Sequence, residues 1–195
     1  MVHASPASAK TVLRLELRGR RRALAKETPD AAELAVSRLP AALLKAHPIV
    51  GGYRAQGAEI DPWPLMHAFA AAGARLALPV ALSAEAPLVF RAYAAGDGLA
   101  PDAFNVPAPT ADAELVEPDL VITPLLAFDR AGGRIGQGGG HYDRTLAALR
   151  AKRRVFVLGL AYAGQAVARI PREAHDQRLD AILTEKAYIE AAKDP

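Results

Sequence analysis

Apolar positions along the 195-residue chain recur at two periods, and the elements can be read from where the period changes. From Ser8 to about Ala25 the pattern is helical, with Ser8 at the N-cap position; Lys10, Arg14, Arg18 and Arg22 recur every four residues as one drifting basic stripe. A second helix is expected after Thr28-Pro29, where a capping residue and a first-turn proline stand in the favoured order, with Pro40 kinking or splitting it. "IVGGY" from Ile49 reads as a strand, and Asp61-Pro62 opens a helix that runs to Gly73. "RLALPV" alternates and "PLVFRAY" is rich in large apolar residues, so both read as strands. Residues 94–117 hold Gly, Pro, Asn and Asp and read as one long loop.

"DLVITP" is then a short buried strand, and "LLAFDRAGGRIG" a hairpin turning at residues 129–133. A helix is expected from about His141 to Lys152, followed by the buried strands "RVFVLGLAY" and "LDAILT" and a terminal helix. Strands alternate with helices, which predicts one α/β domain over residues 1–195, a three-layer α/β/α arrangement with a largely parallel, mixed central sheet, and flexible residues 1–7.

Composition narrows the chemistry. Apolar residues make up 51% of the chain and charged ones 23%, the balance of a chain that folds in water. The net charge of +3 suits an anionic small molecule and is thinner than the basic face nucleic acid usually requires. No cysteine is present, so disulfides, thiolate metal sites and a cysteine nucleophile are excluded. "MVHASPASAK" lacks the apolar run of a secretory signal, and the longest apolar stretch, 68–82, is broken by Gly73, Arg75 and Pro79. A cytoplasmic protein with no membrane or nucleic-acid partner is expected.

One stretch stands out. "GGRIGQGGGHYDR", from Gly132 to Arg144, places six glycines in thirteen positions. It is not a Walker A loop, which needs Lys-Ser/Thr after its last glycine, and a G-x-G-x-x-G fingerprint from Gly136 fails at His141. The glycines do end where a helix should begin, and the free amides of a helix start form an anion site. Arg134 and Arg144 flank the stretch as cations for a polyphosphate.

Asp143 is the anomaly there. A carboxylate about 4 Å from a phosphate oxygen costs on the order of 4 kcal/mol at an effective dielectric of 20. The helix terminus returns only about 0.3–2 kcal/mol to an anion. A divalent cation between the two charges reverses the balance, which points to Mg²⁺. "HDQRLD" supplies Asp176 and Asp180 as further acids, with His175 as a hydrogen-bonding residue; "AEID" puts Glu59 at the carboxyl end of the first strand, where α/β sheets gather ligands.

These blocks taken together resemble the 5-formyltetrahydrofolate cyclo-ligase family: K-x-x-x-R at Lys10, "GAEID", "FNVPAP", "TPLLAFDRAGGRIGQGGGHYDRTLA" and P-x-E-x-HD-x-x-LD-x-IL-T-E, in order from Lys10 to Glu185. The resemblance implies an α/β/α fold and conversion of 5-formyltetrahydrofolate to 5,10-methenyltetrahydrofolate with ATP and Mg²⁺, releasing ADP and phosphate. The formyl oxygen is phosphorylated, N10 attacks the activated carbon, and phosphate leaves.

By the same resemblance, ATP would be held by Lys10, Arg14, Arg134, Ile135, Gly136, Gln137, Gly138, Gly139, Gly140, His141 and Tyr142. The folate would meet Arg54, Glu59, Phe104, Gln137, Gly138, Gly139, Gly140 and His141. Asp143 and Asp176 would hold Mg²⁺ with Asp180 in support, while Glu59, Tyr142 and Arg134 would be catalytic. The partners implied are folate and ATP, on a monomer. The chain departs from the family pattern at His141, where a tyrosine is usual, and at Gln137 and Gly139. A related enzyme using ATP and Mg²⁺ on another small molecule, and a non-catalytic nucleic-acid binder using the arginine-rich first helix, remain as alternatives.

Overall fold

The computed structural model describes residues 6–192, with side chains from Leu13 onward. Helix α1 (Pro6–Glu27) is followed by α2 (Ala31–Arg38) and the single turn α3 (Ala41–Leu44), separated at Pro40. The chain then runs through β1 (Ile49–Gly51), α4 (Trp63–Ala71), β2 (Arg75–Val80) and β3 (Val89–Ala92). Short strands β4 (Leu99–Pro101), β5 (Pro107–Pro109) and β6 (Leu115–Val116) precede β7 (Leu120–Pro124). The hairpin β8 (Ala127–Phe128) and β9 (Arg134–Ile135) leads to α5 (His141–Arg150), β10 (Phe156–Leu160), β11 (Ala181–Leu183) and β12 (Tyr188–Glu190).

Eight strands form one sheet in the order β12-β11-β10-β7-β1-β2-β3-β6. The inner five are parallel, and β12, β3 and β6 are added antiparallel at the edges. The alternation of side chains along the strands gives the sheet two apolar faces. Val50, Leu120, Ile122 and Leu158 pack on one side against Ala31 and Ala35 of α2 and Leu65, Met66 and Phe69 of α4. Val121, Val157 and Ile182 pack on the other side against Leu146 and Leu149 of α5. The result is the expected α/β/α layering. Helix α1 is seated differently: its Leu17 packs with Leu126, Ala127 and Ile135 of the hairpin region.

Several local expectations are corrected. Helix α1 already includes Pro6 and Ala7, so Ser8 lies inside it and is not its cap. The rest of the flexible stretch expected at residues 1–7 lies outside the described residues. Helix α2 begins at Ala31 behind Asp30, beyond the Thr28-Pro29 pair. Within 94–117 the chain forms the β4–β5 hairpin and β6, because edge strands tolerate prolines at 101, 107 and 109. In place of a terminal helix, "YIE" pairs with β11. The buried Thr184 Oγ1 accepts from the Lys186 and Ala187 amides, which turns the chain back along the sheet before a helix can start.

Among the described residues no helix is long and apolar enough to cross a membrane. The placement of the sheet fixes the location of the site. From the neighbouring parallel strands β1 and β7 the chain departs in opposite directions, to β2 and to β10. Such a switch point opens a crevice at the carboxyl ends of the two strands.

Candidate active site

A cavity of about 490 Å³ occupies that crevice. One wall comes from the segment after β1, with Tyr53, Arg54, Gln56 and Glu59, and from Pro124 and Leu125 at the end of β7. The facing wall is the stretch from Arg134 to Asp143. Arg14, Phe104 and Asp176 complete it, so most of the residues singled out in the sequence converge. The Lys10 side chain lies outside the described residues. Asp180 is turned away, accepting from the Val157 amide at 2.7 Å and pairing with Arg150 at 2.9 Å.

The glycine stretch leaves β9 and ends at Gly140, the N-cap of α5, with φ of 67° and no side-chain cap hydrogen bond. That left-handed geometry favours glycine, and a Cβ there would stand 2.7 Å from an Arg144 nitrogen. The first-turn amides of α5 thus stay uncapped by side chains at the cavity wall, the arrangement that accepts an anion.

Helix α1 holds this loop from outside. Arg14 Nε donates to the Gly136 carbonyl at 3.2 Å, and Arg18 Nε donates to Gln137 Oε1 at 3.0 Å. Arg144, expected to be a phosphate cation, instead donates to the carbonyls of Ala84 (2.7 Å) and Gly139 (2.9 Å) and does not line the cavity. It braces the loop rather than facing a ligand.

Asp143 is compensated within the protein itself. Its Oδ1 accepts from Arg134 Nη2 at 2.8 Å and from the Gln177 amide at 2.9 Å. Arg134 also donates to the Gln177 carbonyl, and only 6% of its side chain is exposed. Burial lowers the Arg134 pKa, and the adjacent Asp143 opposes the shift. The inference that only a divalent cation makes Asp143 tolerable is therefore corrected: a buried guanidinium already neutralises it. Both hydrogen bonds from the described residues reach Oδ1, so Oδ2 takes none from them.

Asp176 Oδ2 accepts from the Glu173 amide at 2.8 Å, and Glu173, His175 and Asp176 bring their ligand atoms within 4.8 Å of one another. His175 Nε2 stands 3.3 Å from a Glu173 carboxylate oxygen, with its ring largely exposed.

The part of the cavity around Phe104 is aromatic and acidic. Asp102 accepts from the amides of Phe104 (2.8 Å) and Val106 (3.0 Å), and Asn105 adopts φ of 58°, a tight turn that leaves Phe104 48% exposed at the rim. The His141 ring meets Phe104 edge-on with centroids 5.2 Å apart. Arg54 lies 5.8 Å from the centroid of Trp63.

Sequence reasoning missed Arg21, which pairs with Glu59 at 3.2 Å with both side chains 8% exposed. The signal was present. At about 100° per residue, position i+7 returns to within about 20° of Arg14 whereas i+8 drifts by about 80°, so Arg21 shares the Arg14 face more closely than Arg22 does.

Burial, and next the Glu59 carboxylate, push the Tyr53 and Tyr142 hydroxyls well above the ordinary phenol range. Both remain protonated at neutral pH; Tyr53 donates to the Ile60 carbonyl at 2.6 Å. For an acid whose folded pKa is raised, stability is intact below the unfolded value and is lost as pH climbs above it. Stability should thus fall above pH about 10, by about 1.4 kcal/mol per pH unit for each such tyrosine. Urea unfolding midpoints between pH 9 and 11 should show the fall, and Tyr142→Phe should make it shallower.

Comparison with known proteins adds the following. Residues 6–185 match the model of the 5-formyltetrahydrofolate cyclo-ligase family. The 5-formyltetrahydrofolate cyclo-ligase of Escherichia coli K12 is 35% identical over 176 residues, covering 86% of this chain and 96% of that protein. The cyclo-ligase of Mycolicibacterium smegmatis is 35% identical over 154 residues, covering 74% and 77%. The solved 5,10-methenyltetrahydrofolate synthetase of Aquifex aeolicus superposes with a TM-score of 0.77 at 27% identity, covering 95% of this chain and 94% of that one.

Proposed function

The chain belongs to the 5-formyltetrahydrofolate cyclo-ligase family, and on that premise we propose that it closes 5-formyltetrahydrofolate to 5,10-methenyltetrahydrofolate at the expense of ATP, as a cytoplasmic monomer built from a single domain. The observation that carries this reading is one cavity with two unlike walls. An uncapped helix start and a glycine loop suit phosphates, while the facing carboxylate, arginine and aromatic pair suit a pterin. Two substrates can meet there.

The chemistry asks for positioning more than for a reactive side chain. The formyl oxygen bonds to the γ-phosphorus as the bond to ADP breaks. N10 then bonds to the formyl carbon, the N10 proton leaves, and the carbon–oxygen bond breaks with departure of phosphate. The α5 amides, the loop from Ile135 to His141, Arg14 and Lys10 hold the triphosphate. Phe104 and His141 clasp the pteridine, with Arg54 beside it. Glu59 takes a folate N–H close to the reacting carbon, and Tyr142, kept protonated by burial, donates to an oxygen there. Arg134 holds Asp143 in place.

Asp143 and Asp176 fit Mg²⁺: among the described residues nothing donates to Asp143 Oδ2, Asp176 lines the same cavity, and carboxylate and phosphate oxygens are the hard donors this ion takes. When bound, Mg²⁺ would offset phosphate charge.

Purified protein mixed with 5-formyltetrahydrofolate and Mg-ATP should develop the methenyltetrahydrofolate absorbance with one ADP formed per turnover. Folded protein that gives neither product rules the proposal out.

A further inference from the structure

We infer that Arg21 is a positioning residue of the reaction: it fixes the orientation of Glu59 and joins the two lips of the switch-point crevice. The inference rests on the reading of Glu59 as the folate-facing carboxylate.

Arg21 comes from α1, 38 residues before Glu59, and is 6% exposed. Its Nη1 donates to Glu59 Oε1 at 3.2 Å and to the Leu125 carbonyl, just past β7, at 3.3 Å. The other carboxylate oxygen, Glu59 Oε2, accepts from the Gln56 amide at 3.0 Å. Each oxygen therefore has its own donor, one local and one from α1, and the carboxylate is held against rotation. Leu125 is held as well, since Gln165 Nε2 donates to its carbonyl at 2.8 Å.

A purely stabilising role explains this poorly. Buried ion pairs often only break even against apolar side chains of similar volume. Here Arg21 Nε is also buried with no hydrogen-bond partner among the described residues, and an unpaired buried donor is destabilising. What the guanidinium does supply is a fixed cation beside Glu59. Without it Glu59 Oε1 would lose its donor, and the carboxylate would be tied only at Oε2. Helix α1 also places Arg14 and Arg18 on the glycine loop, so one rigid element sets the distance between the two halves of the cavity.

A double-mutant cycle on the full-length enzyme tests this, with Arg21→Met, Arg21→Lys and Glu59→Gln. Arg21→Met should lower kcat/KM for 5-formyltetrahydrofolate about 100-fold while leaving the KM for ATP within about twofold. Arg21→Lys, which keeps the charge and one donor, should recover about tenfold of that loss. Adding Arg21→Met to Glu59→Gln should cost less than threefold more, because the arginine acts only through the carboxylate.

Additive losses, or an ATP KM that rises in parallel, would make Arg21 a structural residue and overturn the inference. Near-normal turnover of Arg21→Met beside an inactive Glu59→Gln would overturn it equally. Full activity of Glu59→Gln would instead remove the reading of Glu59 itself. If Arg21→Met does not fold, the comparison of Arg21→Lys with Arg21→Lys/Glu59→Gln gives the same decision from a variant that keeps the buried charge.

Discussion

Asp143→Asn is expected to lower kcat/KM for Mg-ATP and 5-formyltetrahydrofolate by about 10²–10³-fold while the protein stays folded. The amide retains a side-chain oxygen for Arg134 Nη2 and the Gln177 amide, which reach Asp143 at 2.8 and 2.9 Å. What it loses is the negative charge proposed to hold Mg²⁺ opposite Asp176. Asp143→Ala removes the acceptor as well and leaves Arg134, 6% exposed, without its paired carboxylate. Breaking a buried pair from one side typically costs about 3–5 kcal/mol, so the alanine variant should lose stability as well as turnover. Binding of Mn²⁺ to the ATP-loaded protein, followed by electron paramagnetic resonance, should weaken in the asparagine variant. Unchanged turnover and unchanged Mn²⁺ binding in that variant would contradict the metal assignment.

Gly132→Ala should destabilise the fold by about 2–5 kcal/mol. Gly132 sits in the hairpin turn with φ of 79°, and an added Cβ would lie 2.5 Å from the Leu179 carbonyl oxygen. The left-handed backbone costs an L-residue about 1–2 kcal/mol, and the overlap adds about 1–3 kcal/mol. The neighbour cannot yield easily, because Leu179 is tied by its own amide to the Gly132 carbonyl at 2.9 Å. For a chain of this length the melting temperature should drop by about 4–20 °C, read by calorimetry or circular dichroism. A loss below about 0.5 kcal/mol would mean that the turn is free to move. The same turn carries Arg134, so the variant should also weaken ATP binding.

These two positions differ in how far the sequence revealed them. The expectation of a glycine-rich hairpin followed by a helix needs only local information, and β8, β9 and α5 lie where it placed them. Asp143 was legible as an acid at a helix start, but not its neutralisation by Arg134, nine residues earlier in the chain. That pairing depends on the loop folding back so that both side chains meet Gln177. Arg144 shows the converse: it stands beside the phosphate-type loop in sequence, yet its guanidinium is taken up by carbonyls 60 and 5 residues away.

The sequence by itself determined the buried strands β7, β10 and β11, the hairpin and its glycine turn, and the helix start at His141. All are set by periodicity, turn chemistry and capping, which act over a few residues. Only the tertiary structure decided that β12 is a strand, although Ala, Lys and Glu around it favour a helix: pairing with β11 outweighs a propensity worth tenths of a kcal/mol per residue. Only the tertiary structure, too, brought Arg21 to Glu59 and His141 to Phe104. Those contacts follow from strand order and from where α1 is seated, which the local pattern of the chain does not specify.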